Sequence, residues 1–201
     1  KDADGKINLK TNIDIDLDNK FKLKNTSYSL EGVVSHLAVQ TEGMSFIKEY
    51  LPEYDSKLTF KDASIKFINS KLDNTTEISG FVKIKDQYDK FIIKEKYNYK
   101  DKSFNFNGTL DLKNSKVQVD KLNYYKESGE NSEIDFDINF VLDKYYNIKE
   151  LNFSEGDNKI FLSNIKLNKN FEVKDFKKLK FKTFRKKNKN NDFVIEKSDK
   201  I

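Results

Sequence analysis

The chain has 201 residues, 35% charged and 36% hydrophobic, and its 38 basic and 33 acidic residues give a net charge of +5. One all-β domain fits this length without division. Because the two signs are interspersed, most of the basicity is cancelled locally, and no nucleic-acid partner is expected. The chain has no cysteine, which excludes a disulfide framework, a zinc–thiolate site and a cysteine nucleophile.

The residues that most enzymes use are scarce. His36 is the only histidine, so a triad with a histidine base and a two-histidine metal site are both excluded. No glycine-rich phosphate loop is present, and the acidic row of Asp14, Asp16 and Asp18 lacks the glycine and terminal glutamate of a calcium loop. We therefore expect no enzyme, no cofactor and no metal.

No run of residues approaches the roughly 18 apolar residues of a membrane span, and the first residues do not form a signal segment. The chain starts at Lys1 and stops at Ile201 within an alternating run. We expect residues 1–201 to form a single β-rich domain, a fragment of a longer elongated protein whose anchor lies outside it.

The first forty residues alternate apolar and polar side chains, which predicts strands. The alternation includes Ile7, Leu9 and Ile13, and a turn is expected at Asn19 and Lys20. Residues 44–52 have the only helical spacing, and Pro52 is expected to end that helix.

Alternating segments then recur to the end of the chain, separated by short polar turns. They cover residues 57–70, 77–85, 90–100, 103–113, 116–126, 132–143, 147–154, 159–168, 176–184 and 192–197. Without crossover helices this predicts an antiparallel meander. One helix cannot cover about a dozen strands, so the sheet must stack as a sandwich, close as a barrel, or curl into an open trough that bends at Gly80, Gly108 and Gly156.

A basic segment near the C-terminus has two interpretations. Its cations are Lys178, Lys180, Lys182 and Arg185, followed by Lys186, Lys187 and Lys189 in a polar loop. They could face phosphates or lipid headgroups, or they could mark an edge strand whose lysines deter pairing with other strands. The edge strand is favoured, because no aromatic residue lies on the lysine side.

The apolar stripe includes Phe104, Phe106, Phe136, Ile138 and Phe140, which first of all fit an ordinary core. The absence of a second layer favours a ligand-binding face instead.

Residues 104–140, "FNFNGTLDLKNSKVQVDKLNYYKESGENSEIDFDINF", resemble the hairpin unit of the AsmA-like superfamily of Gram-negative envelope proteins, the TamB- and YhdP-type lipid-transfer bridges. Residues 77–97 and 156–184 look like diverged copies of this repeat. The resemblance covers residues 77–197 well and the first third loosely, and it rests on pattern.

The resemblance implies an open, twisted, taco-like β-groove that binds acyl chains and conducts phospholipid between inner and outer membranes. It implies a periplasmic location, an inner-membrane anchor outside this chain, and envelope membrane proteins as partners at either end. The groove-lining role would fall on the inward-facing row: Phe104, Phe106, Leu110, Leu112, Val117, Val119, Ile134, Phe136, Ile138 and Phe140. The alternative is a structural or adhesive β-sandwich domain of a surface protein.

Overall fold

A computed structural model describes residues 3–41, 45–142, 144–184 and 190–197. The strands are β1 (Ala3–Leu17), β2 (Leu23–Gln40), β3 (Lys57–Asn69), β4 (Asp73–Lys83), β5 (Tyr88–Asn98), β6 (Ser103–Asp111), β7 (Val117–Val119), β8 (Tyr124–Lys126), β9 (Ser132–Val141), β10 (Tyr145–Glu155), β11 (Asn158–Asn168), β12 (Val173–Asp175), β13 (Lys178–Thr183) and β14 (Asn191–Glu196). Two short 3₁₀ helices cover Ser45–Glu49 and Asp120–Leu122.

Twelve strands form one antiparallel sheet in the order β1-β2-β3-β4-β5-β6-β9-β10-β11-β13-β14, and β12 pairs with β11. In the part of the chain that the structure describes, β1 and β14 are the two edges of the sheet and do not pair with each other, so the sheet is open. The only other sheet in the described part of the chain is the two-stranded hairpin β7–β8. The predicted fold class, an open antiparallel meander, is confirmed.

The register places one charged or polar residue of nearly every strand in a single row on one face, the polar face. This row runs Lys10, Glu31, Lys66, Glu77, Lys94, Asn107, Asp137, Glu150, Ser163, Lys178, Glu196. Charges alternate in sign over its first five members, and Lys66 pairs with Glu31 while Lys94 pairs with Glu77, both at 3.1 Å. Opposite charges directly across strands favour this register over a one-residue slip.

The strand ends form the two rims of the sheet. At one rim, residues 45–56 and the β7–β8 hairpin fold back over the apolar face as a cap. Tyr54, Val117 and Tyr124 from the cap join Phe153 and Ile160 of the sheet in one core cluster. At the other rim lie the hairpin turns at residues 18–22, 70–72, 99–102 and 169–172, together with the connection from Val141 of β9 to Tyr145 of β10, which contains Leu142 and Lys144. We call these the capped rim and the uncapped rim.

Two glycines occupy positions that other residues do not fit. A Cβ on Gly80 would lie 2.5 Å from the Cα of Ala63, which lies in a bulge of β3, so only glycine allows this close approach. Gly156 has a φ of +53° in the two-residue turn between β10 and β11. Gly80 and Gly156 are two of the three glycines at which the sheet was expected to bend; the first makes a close backbone contact and the second lies in a turn.

The structure corrects three details of the sequence prediction. The short helix expected over residues 44–52 is present, but it is a 3₁₀ helix over Ser45–Glu49 and ends before Pro52. The strand expected over residues 116–126 is broken by a 3₁₀ turn into the β7–β8 hairpin and does not join the large sheet. The lysine-rich strand β13 is not an edge strand, because β14 pairs with its outer side; Arg185, Lys186, Lys187 and Lys189 lie outside the described residues.

Candidate functional site

The ten predicted groove residues lie in two places. Seven of them share the apolar face of two adjacent strands, where Phe104 pairs with Phe140, Phe106 with Ile138, and Leu110 with Ile134. Phe136 is the seventh, opposite Gly108. The other three belong to the capped rim: Leu112 and Val117 are buried in its core, and Val119 packs against them.

A second row crosses the whole apolar face in register, and we call it the central row. It runs Leu9, Gly32, Ile65, Ile78, Ile93, Gly108, Phe136, Leu151, Leu162, Leu179, Ile195. Every member is apolar or glycine. Ten spacings of about 4.8 Å make this row about 48 Å long, so the sheet presents a continuous apolar path perpendicular to its strands.

Aromatic side chains form a parallel row nearer the uncapped rim, which we call the aromatic row. Phe104 stacks on Phe140 with a centroid distance of 5.0 Å and also contacts Tyr97 at 4.5 Å. Phe140 stacks on Tyr146 at 5.6 Å, and Tyr146 stacks on Phe171 at 4.6 Å. Adjacent aromatic pairs across strands stabilise a sheet, and here they form a wide apolar wall that runs from Tyr97 to Phe171.

The apolar face is open along the first hairpin. Ile13, Ile15 and Leu17 on the edge strand β1 are 61%, 59% and 51% exposed. At the opposite edge, Phe193 and Ile195 of β14 are also more than a third exposed. A dry sandwich would bury these side chains, so the structure has an apolar surface of the kind that marks a ligand or partner site.

A buried lysine holds the cap together. Lys126 is completely buried, and its Nζ donates hydrogen bonds to the carbonyl oxygens of Leu112 (2.7 Å), Ser115 (2.8 Å) and Glu127 (2.9 Å). Burial lowers the pKa of Lys126, and the nearby Asp89 carboxylate opposes that shift. The ammonium group therefore satisfies carbonyls that would otherwise be buried without partners.

Asp89 links the cap to the sheet. Its carboxylate accepts hydrogen bonds from the Asn114 backbone N–H (2.9 Å) and the Ser115 hydroxyl (2.8 Å). Burial raises the pKa of Asp89, and these two hydrogen bonds act against the increase. Burial also raises the pKa of the Tyr124 phenol, whose hydroxyl donates to Glu155. These pKa shifts come from the burial of groups that connect the cap to the sheet. The arrangement is typical of groups that stabilise a fold, not of catalytic groups.

The described residues contain no group of three or more histidine, cysteine, aspartate or glutamate side chains placed to hold a metal ion. Within the same part of the chain, no helix is long and apolar enough to cross a membrane.

Sequence reasoning missed two parts of this site. The cap was hidden because Val117 and Val119 alternate with polar residues as in an ordinary strand. The tyrosines of the aromatic row, Tyr97 and Tyr146, were not singled out, although each lies at an alternating position near a strand end. No family model, curated protein or solved structure matches this chain.

Proposed function

We propose that this chain is a non-enzymatic β-groove segment that binds acyl chains and conducts phospholipid between two membranes. The observation that carries the proposal is the central row, in which all eleven register positions from Leu9 to Ile195 are apolar or glycine. The exposure of the β1 side chains beside it supports access from solvent.

The physical chemistry suits this role. Burying a methylene group contributes about 0.8 kcal/mol, so an acyl chain lying along the apolar face is stabilised while its headgroup remains in water at a rim. A bilayer's hydrocarbon core of about 30 Å contains two opposed layers of acyl chains. The central row of about 48 Å is therefore about three acyl chains long, and movement along it requires no catalytic group.

The cellular setting is part of the same proposal and rests on the AsmA-like resemblance. The segment would lie in the periplasm of a Gram-negative cell, anchored to the inner membrane through a segment outside this chain. Envelope membrane proteins at either end would supply and receive the lipid.

Native mass spectrometry of the gently purified protein, with extraction and identification of bound lipid, tests the proposal. We expect retained phospholipid, and we expect Ile13→Asp to reduce it because a carboxylate then enters the open apolar face. Val33→Asp is the matched control: Val33 lies on the polar face of the neighbouring strand and is 52% exposed. Both positions are already solvated, so both variants should stay folded.

Ile138→Asp extends the test to the centre of the sheet, where Ile138 lies between Phe106 and Ile148. Lipid loss in a folded Ile138→Asp protein would support a groove that is continuous across the sheet. A protein free of lipid under conditions that preserve lipid on a known carrier would contradict the proposal and favour a structural or adhesive role.

A further inference from the structure

All five hairpin turns of the uncapped rim expose a large apolar side chain. The exposed fractions are 86% for Phe21, 72% for Leu72, 37% for Tyr99, 57% for Leu142 and 65% for Phe171. The capped rim is less uniform: Ile84 is buried and the turn at residues 156–157 is only Gly and Asp, whereas Tyr50, Tyr125 and Phe184 are 46%, 44% and 40% exposed. Single exposed apolar residues are ordinary, but one at every turn of a single rim is a pattern.

The same five turns carry lysines. These are Lys20, Lys22, Lys71, Lys100, Lys102, Lys144 and Lys169, and all of them are exposed. The structure shows no ion pair for these seven within the described residues, whereas Lys66 and Lys94 on the polar face are both paired with glutamates. These seven lysines outnumber the four acidic residues of the same turns, Asp18, Asp101, Asp143 and Glu172, so the uncapped rim combines protruding apolar tips with a net positive charge.

Two of the turns have the same geometry at opposite ends of the rim. In residues 18–22, the Asp18 side chain accepts hydrogen bonds from the backbone N–H groups of Lys20 and Lys22 at 2.8 Å. In residues 168–172, Asn168 accepts them from Asn170 and Glu172 at 3.0 Å.

Each of these two turns places a phenylalanine in the left-handed region. The φ angle is 58° at Phe21 and 62° at Phe171. Glycine or asparagine fits this conformation best, and a bulky side chain there is a genuine outlier. Strain of this kind is concentrated at functional positions, and Phe21 has 86% of its surface exposed, so core packing does not account for its presence.

The tips form a row. Successive turns are two strands apart in the sheet order, a separation of about 10 Å, so the five tips span about 40 Å. Apolar tips flanked by lysines match the boundary of an anionic bilayer, where apolar groups enter the acyl region and ammonium groups meet lipid phosphates.

We propose that the uncapped rim docks on the surface of an anionic phospholipid bilayer, with Phe21 and Phe171 inserted at its two ends. The aromatic row lies directly behind this rim and reaches the turn through the stack of Tyr146 on Phe171. A docked rim would place the membrane beside the apolar face. The inference concerns a different surface from the proposed lipid groove, and it holds whether or not that groove carries lipid.

Co-sedimentation of the whole chain with vesicles tests the docking. The vesicles are phosphatidylcholine with about a third phosphatidylglycerol, and pure phosphatidylcholine vesicles measure the contribution of the lysines. We expect binding to the anionic vesicles that weakens with salt, and we expect the double variant Phe21→Asn, Phe171→Asn to bind at least about tenfold more weakly. Asparagine suits the left-handed conformation, so the variant should remain folded.

Phe184→Asn is the matched control, because Phe184 is a 40% exposed phenylalanine at the capped rim. It should leave vesicle binding unchanged. Absence of vesicle binding, equal binding by the double variant, or a loss confined to Phe184→Asn would each overturn the docking. Concentration-dependent self-association without vesicle binding, measured by sedimentation velocity, would also overturn it and would identify a second copy as the occupant.

Native mass spectrometry of the double variant distinguishes the docking proposal from the lipid-groove proposal. If the double variant keeps bound lipid and loses vesicle binding, the two surfaces are independent.

Discussion

The two rims of the sheet end their hairpins in opposite ways. At the capped rim, two long connections, residues 45–56 and the segment that contains β7–β8, fold back over the apolar face. They bury Lys126, Asp89 and Tyr124 among carbonyl, hydroxyl and carboxylate groups. At the uncapped rim, short turns point outward and leave Phe21 and Phe171 in solvent.

Because of this difference, the residues that stabilise the fold lie near one rim, and the apolar residues that are most exposed to solvent lie near the other. A sheet of this size with one covered face needs a core, and the cap supplies it at one rim through Tyr54, Val117 and Tyr124. The rest of the apolar face can then remain open. The comparison predicts that equivalent substitutions have large effects on stability near the cap and small ones near the uncapped rim.

The largest expected effect is the loss of a core aromatic. Phe153 is 4% exposed and packs edge-on against Tyr124 of the cap at 5.6 Å. We expect Phe153→Ala to lower the free energy of unfolding by about 3–4 kcal/mol, because it removes transfer energy and leaves a cavity.

Phe140→Ala is the matched comparison in the aromatic row. Phe140 is only partly buried, and its stacking partners Phe104 and Tyr146 can move into the space. We expect about half the cost of Phe153→Ala, measured by urea unfolding of delipidated protein. Equal costs would show that the aromatic row is as dry as the capped core.

The second prediction concerns the buried ammonium group. Lys126→Met keeps the volume of the side chain but leaves the carbonyls of Leu112, Ser115 and Glu127 without their donor. We expect a loss of about 3 kcal/mol in the free energy of unfolding. Lys121→Met, at an exposed lysine of the same hairpin, should change stability by less than about 0.5 kcal/mol. A neutral Lys126→Met would mean that the cap does not depend on this group.

Much of the sheet follows from alternation alone. Residues 132–143 were predicted as a strand with four apolar side chains on one face. The observed strand β9 begins at Ser132 as predicted, and Ile134, Phe136, Ile138 and Phe140 do share one face. The period of two and the polar turns are local properties, so the sequence displays them directly.

The cap could not be predicted in the same way. Val117 and Val119 alternate like any strand residues, yet their hydrogen bonds go to β8 because Lys126 and Asp89 fix that segment to the sheet. Such partners are distant in sequence, and a lysine inside a core is rare enough that composition argues against it. The left-handed phenylalanines were missed for the opposite reason, since local rules place asparagine or glycine there.

The third prediction uses pH to examine the cap. Because the pKa of Asp89 is raised by burial, the unfolded chain loses this proton first as the pH rises. The contribution of Asp89 to stability therefore falls between the ordinary carboxyl pKa and the raised value. Asp89→Asn has no proton to lose, so its stability relative to the wild type should increase as the pH rises through that window. Urea unfolding of both proteins at several pH values between about 4 and 7 measures this, and a constant difference would contradict it.

The smallest expected effects are at the two left-handed phenylalanines, and they have the opposite sign. Phe21→Asn should raise the free energy of unfolding by up to about 1 kcal/mol, because asparagine tolerates a φ near 58° and no apolar core is lost. Phe171→Asn should raise the free energy of unfolding by less. The relief of backbone strain at a φ of 62° is offset by the loss of the aromatic stack on Tyr146. Thermal unfolding of the two single variants gives the comparison. If both variants are less stable than the wild type, the phenylalanines contribute to folding, and their exposure at the uncapped rim needs no partner to explain it.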